Sequence, residues 1–231
     1  MTDLKTALII GAGDGLSASL ARLFTSTGMK VGLTARNIEK LQPLCDQIGA
    51  QAFQCDASHD NAVQQLFAEV DLRMNSPDIV VYNASYRTCG AIVDLDPAEV
   101  AKALTVSAYG GFLVGQQAAK RMLAKGEGAI LFTGASASVK GYAQSAPFAM
   151  GKFALRGLVQ SMARELTPKN IHVAHFVIDG AILPPKQKQP TENPDSFLEP
   201  DAIAQSYLHV VQQHRSAWTW EVELRPWVER F

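Results

Sequence analysis

The sequence predicts an α/β fold, a single doubly wound domain of about seven parallel strands with helices on both faces. Three observations carry that expectation. Short apolar runs alternate along the chain with longer stretches in which apolar residues recur every three or four positions. The first apolar run, Ala7 to Ile10, opens into a glycine-dense turn, Gly11-Ala12-Gly13-Asp14-Gly15-Leu16-Ser17. The length of 231 residues, 47% hydrophobic and 19% charged, suffices for one large core but not for two comfortable domains.

The glycine turn organises the rest of the chain. Glycines let backbone N–H groups approach a ligand closely, and the helix after the turn directs the positive end of its dipole at the same point. A phosphate suits both features, so this loop is a candidate nucleotide-pyrophosphate site. A turn that only packs strand against helix is the competing reading.

After the turn, Leu16, Leu20, Leu23 and Phe24 keep helical spacing, and Gly28 stands where a C-cap glycine ends a helix. Val31 to Ala35 is a second strand, with Arg36 at its end and no acid beside it. In a dinucleotide site an acid here accepts bonds from the adenosine 2′-hydroxyl, whereas an arginine pairs with a 2′-phosphate. Arg36 therefore favours NADP over NAD. A solvated arginine heading a helix over 37–48 is the alternative, and the charge of Asp14 is a small argument against the extra phosphate.

Gln51 to Cys55 is a third strand ending at Asp56-Ala57, and His59 to Arg73 is helical, with Val63, Leu66, Phe67 and Val70 inward. Pro77 to Tyr82 is a buried fourth strand. It runs into Asn83-Ala84-Ser85, at the carboxyl edge where open parallel sheets bind ligands. Asp94 and Asp96 resemble a carboxylate pair, but Asp96-Pro97-Ala98-Glu99 has the order of a helix start. The helical stretch onward to Lys125 is rich in small residues (Ala108, Gly110, Gly111, Gly115, Ala118, Ala119), which implies close approach to the sheet or across a subunit interface.

Gly128 to Thr133 is a fifth strand, emptying into Gly134-Ala135-Ser136-Ala137-Ser138, and the next helix holds Pro147 to Leu155. Ile171 to Ile178 is a sixth strand ending at Asp179-Gly180. Leu183 to Pro200 holds five of the 11 prolines and reads as an irregular flap over the site. A last helix covers 201–213, and the strict alternation from Trp218 to Arg225 marks a final strand.

Composition excludes several classes. A net charge of -1 with dispersed Lys and Arg argues against nucleic-acid binding. No apolar run reaches the roughly 18 residues of a membrane span, and Met1 to Lys5 has no leader-like pattern, so the expectation is a soluble cytoplasmic protein. Cys45, Cys55 and Cys89 have no metal-ligand spacing, and His172 and His175 fall on opposite faces of a strand, so no metal is expected.

Taken together, these motifs resemble the short-chain dehydrogenase/reductase family over nearly the whole chain. Gly11 to Ser17 resembles its TGxxxGIG loop, with Ile10 for the threonine and Ser17 for the last glycine. Asp56 matches its adenine-contacting acid, Asn83-Ala84-Ser85 resembles its NAG turn, and Lys152 matches the lysine of its YxxxK motif. Arg36 stands where NADP-using members carry arginine. The resemblance implies a Rossmann domain and an oxidoreductase that moves hydride between NADP and a small-molecule carbonyl or alcohol. It implies cofactor binding by Gly11, Gly13, Asp14, Gly15, Leu16, Arg36, Asp56, Ala57, Asn83, Ala84, Ser85 and Lys152. It also implies a homodimer or homotetramer through the long helices after the fourth and fifth strands, with Trp218, Trp220, Trp227 and Phe231 as a further surface.

The proton-transfer side departs from the family. Its general acid/base is a tyrosine four residues before the lysine, and here that residue is Phe148, which has no proton to give. The family's serine falls on Ala135, its helix asparagine on Ser107, and its Pro-Gly after the sixth strand on Asp179-Gly180. Of the tetrad, Lys152 is left. Ser136, Tyr142 and Asp179 are the substitutes, each with a plainer alternative: a turn serine, a half-buried tyrosine, a capping acid. Two functions are compatible with this pattern: an oxidoreductase with an atypical site, or a catalytically silent cofactor-binding or regulatory protein on the same fold.

Overall fold

Thr6–Ile10 forms β1, fully buried, at the centre of a parallel sheet in the computed structural model, which describes residues 4–229. Its apolar residues alternate between two cores: Ala7 and Ile9 face one side, Leu8 and Ile10 the other. A strand buried on both faces has no polar edge to spare, which is why it reads as a continuous apolar run.

The remaining strands are β2 (Lys30–Ala35), β3 (Gln51–Gln54), β4 (Ile79–Tyr82), β5 (Gly128–Thr133), β6 (Ile171–Ile178) and β7 (Glu221–Leu224). The order across the sheet is β3-β2-β1-β4-β5-β6-β7, every pairing parallel. The chain winds one way from β1 to β3 and the other way from β4 onward. The switch point between β1 and β4 opens a crevice at their carboxyl ends.

The helices are α1 (Leu16–Ser26), α2 (Gln42–Ile48), α3 (Asp60–Met74), α4 (Pro97–Leu104), α5 (Gly110–Lys125), α6 (Ala146–Leu166) and α7 (Pro200–Gln212). Thr27 C-caps α1 and Gly28 takes φ +89 just beyond it. Asp96 caps α4 by accepting from the Ala98 N–H at 2.9 Å, which gives it the structural role its sequence context indicated.

Two helices differ from expectation. The one expected over 37–48 begins late: Glu39–Leu41 is a 3-10 turn and the α-helix starts at Gln42. Asn37 Oδ1 accepts from the Glu39 N–H at 2.9 Å, an Asx turn that competes with helix, and Pro43 sits in the first α-turn, where a missing N–H costs nothing. The long helix to Lys125 is interrupted by a π-helical turn over Thr105–Tyr109, held in place where the Tyr82 hydroxyl donates to the Val106 carbonyl.

The small residues of α5 are consumed inside the chain. A Cβ at Gly110 would run into the Tyr82 hydroxyl, one at Gly111 would meet the Leu155 side chain at 2.6 Å, and one at Gly115 Met162 at 2.9 Å. They seat the helix on β4 and against α6. Tyr109 and Phe112, with Met150 and Phe153 on α6, are left exposed.

At the far edge, Trp218 precedes β7 rather than belonging to it and stacks on His172 at 4.6 Å; Phe231 lies outside the described residues. The proline-rich segment is stitched at its base. Ile182 bridges Leu198, the Leu183 N–H donates to the Leu198 carbonyl and the Leu198 N–H to that of Ala181, both at 2.9 Å.

Candidate functional site

The crevice at the switch point has two ends. At the first, a cavity of about 230 Å³ is lined by Gly11 and Ala12 of the glycine turn, Arg36 and Lys40 beyond β2, Asp56 and Ala57 beyond β3, and Asn83, Ala84 and Ser85 beyond β4. Each residue stands just past the carboxyl end of a strand, so sheet topology alone brings together segments far apart in sequence. Gly11 has φ +80, and a Cβ there would lie 2.6 Å from the Ala84 backbone, so the turn can pass β4 only without a side chain.

Gly13, Asp14, Gly15 and Leu16 are not part of that lining. A Cβ at Gly13 or Gly15 would meet nothing within 4 Å, which leaves open space over the start of α1. That helix has no side-chain cap and no acid in its first turn, so its first N–H groups are left for a ligand, while the Leu16 side chain is in the core and Asp14 is exposed. These features fit a diphosphate.

Asp56 is held in place by Ser58, whose hydroxyl and N–H both reach Oδ1, at 2.6 and 3.0 Å. Burial pushes its carboxyl up, but the Ser58 bonds, with His59 and Arg36 nearby, bring it below the ordinary carboxylate value. Asn83 donates from Nδ2 to Ser17 Oγ at 2.7 Å and through its N–H to the Ile10 carbonyl at 2.9 Å, which locks the end of β4 to the glycine turn.

The second end is a cleft of about 800 Å³, and Asn83 and Ser85 line it as well, so the two spaces adjoin. Its walls include Arg87 and Cys89, the turn from Thr133 to Ala137, Tyr142 to Ser145, Phe148, Lys152, and Gly180 to Ile182. Residues 183–200 are not among them. Phe148 and Lys152 occupy one face of α6, with Nζ 5.8 Å from the ring centre. Lys152 is 3% exposed and donates to the Thr133 carbonyl at 2.7 Å. Burial lowers its pKa from the ordinary 10.5 to about 8.

Behind the turn runs a buried polar chain. The Ala135 N–H donates to Ser138 Oγ at 3.1 Å, Ser138 Oγ lies 3.4 Å from His175 Nε2, and His175 Nδ1 lies 3.0 Å from Glu221 Oε2. Arg156 grips Glu221 with two bonds of 2.6 and 2.7 Å. Burial lowers the His175 pKa to about 4, so the ring is neutral. A carboxylate only accepts, hence Nδ1 carries the proton and Nε2 accepts from Ser138. Burial pushes Glu221 up, but its bonds to Arg156 and His175 hold it below the ordinary value. Ser138, His175 and Glu221 have the order of a nucleophile, base and orienting acid, yet Ser138 is 0% exposed and outside the cleft lining. The chain fixes the Ala135–Ser138 turn in place.

Ser136 and Tyr142 both line the cleft, Tyr142 being 48% exposed. Asp179 does not: it is buried and paired with Lys140 and Arg225, at 3.1 Å each, so neither an acid/base nor a capping role describes it. Ser107, at the family's asparagine position, is buried in the π-turn, where its Oγ accepts from the Tyr86 N–H at 3.4 Å. Sequence reasoning missed Lys40, Arg87 and the Ser138–His175–Glu221–Arg156 chain. Lys40 had one available signal, its place four residues after Arg36; Arg87 lies in a loop without periodicity.

Among the described residues no group of three or more His, Cys, Asp or Glu could hold a metal ion, and no helix is long and apolar enough to cross a membrane.

Known proteins share this fold. A solved short-chain dehydrogenase from Rhodopseudomonas palustris is 36% identical, with a TM-score of 0.85 over 96% of this chain and 99% of that one. A metagenomic short-chain oxidoreductase solved with NADP is 27% identical, with a TM-score of 0.84 over 97% and 98%. Among curated proteins, carbonyl reductase family member 4 of Xenopus laevis is 26% identical over 90% of this chain and 91% of its own. The (21S)-21-acetoxyl-apo-melianone synthase of Melia azedarach is 31% identical over 73% of this chain, which spans 64% of that relative's length. The family model described as short chain dehydrogenase matches residues 5–193. With the glycine turn, the Asn83 corner and Lys152 all placed at one switch-point crevice, that match says that the chain belongs to the short-chain dehydrogenase family.

Proposed function

We propose that the protein is an NADP-dependent oxidoreductase acting on a small-molecule carbonyl or alcohol with an atypical proton route. The observation that carries this reading is that the two ends adjoin: Asn83 and Ser85 line both, which supports one extended ligand running from Arg36 and Lys40 toward Lys152. When bound, the cofactor supplies or accepts hydride. Arg36 and Lys40 hold its 2′-phosphate, the start of α1 takes the diphosphate, and Asp56 and Ala57 meet the adenine side. The metagenomic relative solved with NADP supports this choice of cofactor.

Proton handling falls to Lys152. Among the described residues lining the cleft it is the one buried titratable group, and its lowered pKa lies near working pH. Ser136 and Tyr142 bring hydroxyls to the same cleft and hold the reacting oxygen or a water.

Calorimetric titration with NADPH and NADH tests the cofactor assignment. NADPH binds more tightly, and Arg36→Ala or Lys40→Ala each weakens it by about tenfold to a hundredfold, as loss of a charge-assisted bond does, while NADH is unaffected. Binding of neither cofactor sinks the reading.

A second reading keeps the cofactor and drops the chemistry. Phe148 and Ala135 favour it, since both bring carbon where the family brings a hydroxyl. NADPH binding without NADPH oxidation across a broad carbonyl panel selects this silent form.

The resemblance to an oligomeric family extends the proposal to assembly. The exposed rings Tyr109, Phe112 and Phe153 are the apolar surface that a second copy covers, and a monomer by light scattering at micromolar concentration rejects it.

A further inference from the structure

The cleft beside Lys152 is charged in one sense only. Arg87 and Lys152 line it, and among the described residues no carboxylate does. Asp179, next to Gly180 in that wall, is committed to Lys140 and Arg225.

Arg87 is also poised for a ligand. Its guanidinium carbon stands 5.4 Å from the centre of the Phe148 ring. A phenyl face holds a guanidinium through its quadrupole while leaving the planar fork of N–H donors open for another partner. A phenol at that position would compete for those donors through its oxygen. The 21-residue helix α6 adds to the field: its first turn has no side-chain cap, and Gln144 and Ser145 at its start line the cleft.

We infer that the substrate is an oxo acid, or in reverse a hydroxy acid, whose carboxylate docks on Arg87 while its carbonyl faces Lys152. The inference deepens the oxidoreductase reading and rests on it for which end of the crevice takes substrate. In the reducing direction the keto carbon takes hydride from NADPH and the carbonyl oxygen takes one proton, giving hydroxy acid and NADP⁺. The carboxylate does not react; its two oxygens match the Arg87 fork.

The test is calorimetric titration of the protein, with and without NADP⁺, with acetoacetate and levulinate and with the methyl ester of each. At least one acid binds about tenfold or more tightly than its ester, Arg87→Ala abolishes that preference, and Arg87→Lys keeps part of it. NADPH affinity is the same in all three proteins. Equal binding of acid and ester, a preference that survives Arg87→Ala, or no binding of either acid overturns the inference. NADPH binding without an Arg87-dependent preference defeats this inference alone. An Arg87-dependent preference in a protein that binds no NADPH defeats the oxidoreductase reading alone.

Discussion

Replacing Phe148 with tyrosine is expected to raise the carbonyl-reducing rate by about 10²-fold or more, the scale of a positioned acid/base. The backbone is already set for it. Phe148 and Lys152 share one face of α6, and the ring centre lies 5.8 Å from Nζ. The ring is half-buried and lines the cleft, with the Arg87 guanidinium carbon 5.4 Å from its centre. The Lys152 ammonium beside it then favours the phenolate and tunes the new acid toward neutrality. The check is kcat for NADPH oxidation, with NADPH affinity measured alongside. Unchanged kcat with unchanged NADPH affinity means that a missing phenol is not what limits this site.

Lys152→Ala should remove nearly all turnover, by about 10² to 10⁴ in kcat. Two nearby titratable groups are already committed: Asp179 is tied up in ion pairs, and the His175 ring is neutral and bonded on both nitrogens behind the turn. The same lysine sets a pH signature. Reduction needs the ammonium, so kcat for carbonyl reduction is level below the Lys152 pKa and falls as pH rises through about 8. Oxidation of the alcohol needs the free amine and shows the opposite limb. A reductive rate that is flat through this range, or a Lys152→Ala protein as active as wild type, removes Lys152 from the chemistry.

The sheet was legible because its signals are local. Apolar runs such as Ile79–Tyr82 and Ile171–Ile178 are buried on both faces, and the glycine turn announces the β1–α1 corner without reference to anything distant. The candidate cofactor residues come together through topology, which places strand ends side by side once strand order is known. What escaped is non-local or lacks a period. The π-turn at Thr105–Tyr109 is bonded to the Tyr82 hydroxyl, more than twenty residues earlier. His175 reads from sequence only as one of two nearby histidines, and its meaning depends on Glu221 from the last strand and Arg156 from α6. Asp179 reads as a turn acid because its partners, Lys140 and Arg225, are 39 and 46 residues away in the chain. Phe148 is the reverse case: its identity was legible at once, but its contact with Arg87 was not.

The burial of Lys152 has a thermodynamic side. A lysine whose pKa drops from 10.5 to about 8 holds its proton less tightly in the folded chain than in the unfolded one, a difference of about 3 kcal/mol. Below about pH 8 both forms are protonated and folding bears that penalty in full. Between about 8 and 10.5 the folded chain has released the proton and the unfolded chain has not, so the penalty shrinks as pH rises and is gone above the upper value. As far as this residue is concerned, the protein melts at a higher temperature in mild alkali than at neutrality. A neutral replacement such as Lys152→Met escapes the penalty but loses the bond to the Thr133 carbonyl and the ammonium's contact with the Phe148 ring. The group to which we assign proton handling is thus one whose burial costs the fold stability at neutral pH.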